Sequence, residues 1–217
     1  MIHMNIEKTV FNAVSLRKVM IAGLLMAVLA LFHSALVSAL LSLGFLDAAE
    51  SLSINNPDVA EAQATRYRIL AVELAEAETQ GGDGIQQANQ PVMTAWQAQI
   101  KSRDYWLEAI RLRPMWPYYY LGALDVEVLL QDKNAIAQRI KEIIDLAPNE
   151  RGLDEALLIR AFIAWDWVEP ADKEWLLTRL GDVRFSTLKT VFSYAKEAGH
   201  HYDICAQLAW KKVKGLC

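Results

Sequence analysis

Two cysteines in 217 residues exclude a disulfide-dense scaffold and a four-Cys zinc site. Positive charge is also scarce. The 22 Lys and Arg are scattered and face 26 Asp and Glu, whereas a nucleic-acid reader is basic overall or along one stripe. The chain has no G-x-S-x-G, P-loop, H-E-x-x-H or dinucleotide fingerprint, so no catalytic or cofactor-binding set is expected. No alternating apolar and polar run is long enough to suggest a sheet. What the chain has in abundance is apolar surface: 53% hydrophobic residues, with seven Trp, seven Tyr and six Phe. That composition excludes disorder and supplies a packed core.

Residues 19–46 contain no Asp, Glu, Lys or Arg. A membrane span needs about 20 apolar residues, so the stretch predicts a transmembrane anchor. Lys8, Arg17 and Lys18 precede it, and Asp47 and Glu50 follow. Cations stay on the cytoplasmic side, which places residues 1–18 inside and 47–217 outside. In a bacterium that means a single-pass inner-membrane protein with a periplasmic C-terminal domain. A cleaved signal peptide competes with this reading, with Val37-Ser38-Ala39 as a small-residue cleavage site. The apolar run is longer than a signal peptide's usual core of about 7–15 residues, which favours a retained anchor.

Within the span, Ala30, Ser34, Ser38 and Ser42 recur every four residues and share one helix face. Small residues at that spacing form either a helix-packing stripe or a tolerated run of no consequence. His33 lies beside them.

The rest of the chain reads as helix. Asn55-Asn56-Pro57-Asp58 is a helix start, with a capping residue, Pro and an acid in the first turn. The helix from 58 to about 78 places Val59, Ala62, Tyr67, Leu70, Leu74 and Ala77 near one face. Gly81-Gly82-Asp83-Gly84 then marks a flexible break near 80–91. Further helices are expected at 93–112, 117–130, 134–146, 153–166, 171–180, 184–198 and 202–213. The fold class is all-α, an antiparallel helical array with short connections.

Pro114 and Pro148 lie 34 residues apart, the tetratricopeptide period. Counting back from each proline, Ser102, Trp106 and Ala109 match Ile136, Ile140 and Ile143. The segment looks like a tetratricopeptide-type repeat, whose tightly packed Leu-Gly resembles Leu121-Gly122. It departs from that pattern after Pro148, where Asp182 occupies the next proline position.

The run Ile110-Arg111-Leu112-Arg113-Pro114-Met115-Trp116-Pro117-Tyr118-Tyr119-Tyr120 is similar to a signature of the VpsP family of polysaccharide-biosynthesis proteins. The resemblance covers about residues 94–180. It implies a small anchored protein that acts in exopolysaccharide or surface-glycan assembly, with a polysaccharide polymerase or export complex as partner. It brings no catalytic residues.

Trp116, Tyr118, Tyr119 and Trp167 are the candidate contacts for a partner or a glycan. Consecutive tyrosines point about 100° apart on a helix, so one face cannot bury all three. Repeat-core packing is the competing reading for these aromatics. Asp166, Glu169, Asp172 and Glu174 suggest paired carboxylates, though acids are favoured at a helix start in any protein. His201 and Cys205, at i and i+4, are a weak metal-ligand pattern that lacks further ligands. Cys205 and Cys217 leave two readings: a bridge formed in an oxidising compartment, or a buried Cys205 with a free tail thiol.

Three cations and one acid precede the span, which leaves 19 Lys and Arg against 25 Asp and Glu, or −6. Such a face favours a protein or neutral polymer over an anionic lipid or glycan. The expected function is a scaffold in exopolysaccharide or surface-glycan biosynthesis and export, with no cofactor and no reaction of its own. A general envelope-assembly adaptor that binds a peptide or membrane protein is the alternative, and an enzyme comes third.

Overall fold

The computed structural model describes residues 3–52, 55–79 and 93–217. Among them every regular element is helical and none is a strand. The chain divides into two compact units, Met1–Ile54 and Asn55–Cys217.

The first unit is built on α1, His3–Ser42. Its apolar part, Met20–Ser42, has 23 residues and a mean hydropathy of 2.3. At 1.5 Å per residue it is about 34 Å long, enough to cross a hydrocarbon core of about 30 Å. Leu24, Leu25, Leu29 and Phe32 are exposed on it. The helix ends four residues before the charge-free stretch does, because Gly44 takes φ +78°. The Phe45 and Gly44 amides bond back to Leu40 and Leu41, the two bonds of a Schellman stop. Helix α2, Leu46–Leu52, then returns along α1. There the Leu52 carbonyl lies 2.9 Å from His33 Nε2, so His33 serves a turn contact. The side chains of Lys8, Arg17 and Lys18 lie outside the described residues, as does the break near 80–91.

The second unit contains α3 (Pro57–Thr79), α4 (Ala95–Leu112), α5 (Pro117–Leu129), α6 (Lys133–Leu146) and α7 (Asp154–Ile163). It continues through α8 (Pro170–Asp182), α9 (Phe185–Glu197), α10 (His201–Gln207) and α11 (Trp210–Val213). Local chemistry sets the starts. Thr94 and Gln97 form a reciprocal capping box for α4, and Asp132 caps α6. Pro117 and Pro170 stand in the first turns of α5 and α8, where a missing amide costs nothing.

Two apolar clusters hold the unit. One joins Ala60 and Ala64 of α3 with Trp106 and Ala109 of α4 and Tyr119, Ala123 and Val126 of α5. The larger one runs from Leu124 of α5 through Ile136, Ile140 and Ile143 of α6 to Phe162, Leu176, Val191 and Val213. Helix α5 therefore supplies both clusters, and its apolar residues lie all around it.

Three details differ from the sequence expectation. Helix α3 buries Val59, as expected, but otherwise Ala60, Gln63, Ala64 and Ala71; Ala62, Tyr67, Leu70 and Leu74 are half-buried and Ala77 is exposed. Its alanines let α4 approach closely enough for the Ser102 hydroxyl to bond the Ala64 carbonyl at 2.7 Å. Helix α7 stops at Ile163, where the chain tightens into a 3-10 turn, Trp165–Trp167, ahead of Pro170. The last expected helix is two short ones, because Leu208 and Ala209 are extended.

Candidate functional site

The α4–α5 corner carries most of the singled-out residues. Arg113, the residue before Pro114, leaves helical geometry at φ −139° and ψ 73°, as a pre-proline residue does. The Trp116 amide bonds the Arg113 carbonyl and closes the turn, and Pro117 restarts the helix. Met115 is 75% exposed, Trp116 44% and Tyr118 38%. The Trp116 and Tyr118 rings meet with centroids 5.4 Å apart, tilted by 41°.

The three tyrosines diverge as helical spacing requires. Tyr119 is 1% exposed, and its removal from the contact set corrects the sequence expectation. One residue along from Tyr118 turns the side chain by about 100°, into the first cluster. Its ring centroid lies 6.2 Å from that of Trp106. Its hydroxyl donates to Asp58 Oδ1 at 3.2 Å and accepts from Arg113 Nη1 at 3.2 Å. Burial, and then the Asp58 charge, push the phenol up to about 12. Tyr120 turns toward α6, with its hydroxyl on the Pro114 carbonyl and the Arg139 guanidinium 5.6 Å from its ring. Tyr118 lies against the turn before α7, where a Cβ on Gly152 would fall 2.6 Å from its hydroxyl.

Ion pairs hold the helices beneath this corner. Glu127 of α5 is buried and accepts from Arg139 of α6 at 2.9 Å, and Arg139 also reaches Glu142 at 2.6 Å. Burial raises the Glu127 pKa, against the lowering pull of Arg139. Asp125 receives Arg160 of α7 on one oxygen and Arg68 of α3 on the other. Asp154 and Arg179 join α7 to α8 at 2.6 Å. Sequence patterning did not single these pairs out, because all but Arg139–Glu142 join residues of different helices.

The other candidates fall elsewhere. Trp167 is half-buried, with the Lys133 ammonium 5.5 Å from its ring. Trp165 is buried and stacks on Phe162 at 4.4 Å. Lys173, Glu174, Thr178, Asp203 and Gln207 line a polar groove of about 620 Å³ beside Trp165. Asp172 is buried, and burial raises its carboxyl pKa, while Asp166 is exposed 3.9 Å from His200. Ala30, Ser34, Ser38 and Ser42 are all exposed along α1, and the Ser42 hydroxyl bonds the Ala39 carbonyl.

Cys205 and Cys217 are joined in a disulfide with Cα atoms 6.0 Å apart. The bond removes Cys205 as a thiolate partner for His201, whose ring instead packs edge-on against Phe192. Among the described residues no three His, Cys, Asp or Glu gather as a metal site.

No protein-family model, curated protein or solved structure matches the chain.

Proposed function

We propose that this chain is a membrane-anchored scaffold of exopolysaccharide or surface-glycan assembly. Its helical domain lies in the periplasm and binds protein partners of an inner-membrane polymerase or export complex. The glycan role rests on the resemblance of the Ile110–Tyr120 run, and the anchored, periplasmic placement is supported by the Cys205–Cys217 bridge in a chain that also contains a membrane-length apolar helix. Bridges persist in exported proteins and are rare where thiols are kept reduced. The Arg17-Lys18 pair before the span gives the same orientation.

A tetratricopeptide-like arrangement of α4 to α6 belongs to the same proposal. Helices α4 and α6 end at Leu112 and Leu146, 34 residues apart. Ser102, Trp106, Ala109, Ile136, Ile140 and Ile143, the positions matched by that period, are all buried. Gly122 lies directly under the Trp106 ring. Arrays of this kind present binding surfaces. The exposed Met115–Trp116–Tyr118 corner offers a rigid aromatic, the residue type that dominates protein contacts.

Deletion of the gene, followed by measurement of cell-surface polysaccharide, tests the role. Polysaccharide should fall, and be restored by the full chain but not by residues 47–217 expressed without the anchor. Unchanged polysaccharide would refute the glycan role and favour the envelope-adaptor alternative. A reporter enzyme fused after Cys217 should be active only in the periplasm, and cytoplasmic activity would overturn the topology.

A further inference from the structure

The acidic total of the domain hides a local reversal. Lys211, Lys212 and Lys214 fall within four residues, all exposed, and the preceding Trp210 is 65% exposed. None of the three lysines is in an ion pair among the described residues.

The fold holds this tip in a fixed shape. Val213, between the lysines, is buried in the larger cluster, so the residues around it are turned outward. The Lys212 and Lys214 amides bond the Ala209 and Trp210 carbonyls at 2.8 Å each and close the single turn of α11. Gly215 at φ +96° reverses the chain, and Cys217 is joined to Cys205 on α10. The indole and the ammonium groups are thus displayed together rather than left on a loose tail.

We propose that this Trp210–Lys214 tip is a second membrane contact, which docks on a phospholipid bilayer with anionic headgroups. A Trp ring settles at the headgroup level, and lysine stems lie along apolar surface while their ammonium groups reach phosphate. Charge complementarity selects an anionic bilayer. Three lysines hold a free protein weakly, but a chain already anchored through Met20–Ser42 docks at a high effective concentration. The inference rests on the anchorage in the proposed function and is independent of the glycan role.

The test uses the full chain reconstituted in phosphatidylcholine vesicles with or without phosphatidylglycerol, the acyl chains carrying bromine. All seven Trp lie between positions 96 and 210, outside the span, so quenching reports contact between the domain and the bilayer. Part of the Trp emission should be quenched in anionic vesicles, and Trp210→Phe should abolish that part. Each of Lys211→Gln, Lys212→Gln and Lys214→Gln should lower the docked-to-free ratio about fivefold, and high salt should act similarly. Three results would overturn the proposal: no quenching in anionic vesicles, equal quenching in neutral ones, or quenching that survives Trp210→Phe. In each of these the chain would still sediment with the vesicles. Its loss from them would instead refute the anchorage, and the docked tip with it.

Discussion

Gly122→Ala separates backbone preference from packing in the second unit. Gly122 lies inside α5, where alanine is favoured over glycine by about 1 kcal/mol. The added Cβ would fall 2.6 Å from Cε2 and Cζ2 of Trp106 and 2.7 Å from Cδ2. Carbon atoms rest at about 3.5–4.0 Å, so the indole must withdraw by roughly 1 Å. It is buried with Tyr119 beside it, and such overpacking costs about 1–3 kcal/mol. The expected net loss is about 1 kcal/mol, or about 2–4 °C in melting temperature for a unit of this size. Gly181→Ala is the internal control, because its Cβ meets only Leu208 Cδ2, at an ordinary 3.5 Å. That variant should be neutral or slightly stabilised. Far-UV circular dichroism melts of the full chain in detergent give both values. In a Trp106→Leu background, Gly122→Ala should become stabilising, a coupling of about 1 kcal/mol or more. A Gly122→Ala melt at or above the parent's would refute the close contact between α4 and α5.

Glu127→Ala leaves the Arg139 charge buried and should cost about 3–5 kcal/mol, while Glu127→Leu with Arg139→Met should recover most of it. Chemical denaturation checks both, and a mild effect of the single change would mean that Glu142, 2.6 Å from Arg139, compensates the charge by itself. Cys205→Ser should lower the melting temperature by an amount corresponding to about 2–3 kcal/mol at most, since the bridge closes a short loop. Mass spectrometry should find no alkylation of the unfolded, unreduced parent, and two alkylations there would remove the bridge. Tyr119 is neutral when protonated and its folded pKa is raised to about 12, from 10. Its stabilisation is therefore complete below about pH 10 and is lost as pH rises through 12. The parent should lose stability across that window more steeply than Tyr119→Phe, and parallel curves would contradict the buried hydroxyl.

Helices were legible where the cause was local. Pro117, Asp132 and Pro170 mark starts in the sequence and do so in the structure. The membrane-length helix was legible because 28 consecutive residues lack charge. Boundaries failed where a tight turn intervened, as at Gly44 and after Ile163. The face of α3 was read correctly at Val59 but misplaced beyond it, because its alanines carry little hydrophobic signal, yet they are what α4 packs against. The α4–α5 corner was readable as an aromatic run, and 100° spacing required its tyrosines to diverge. Which tyrosine turned inward depended on the packing of α3 and α4 around Ala60, Ala64, Trp106 and Ala109, distant in the chain. The basic tip was missed because net charge averages over the domain.

Helix α5 has a consequence for how the chain reaches its compartment. Because it packs on two sides it is rich in apolar residues, a hazard for any segment threaded through a translocation channel. Its 13 residues extend about 20 Å, short of a bilayer's hydrocarbon. They also include Asp125 and Glu127, and an acid at the centre of a would-be span costs roughly 2.5–3.5 kcal/mol. On the proposed topology, the carboxylates that later find Arg160, Arg68 and Arg139 first act on the unfolded chain. On that topology they would let α5 pass through a membrane in which Met20–Ser42, free of acids, would be retained.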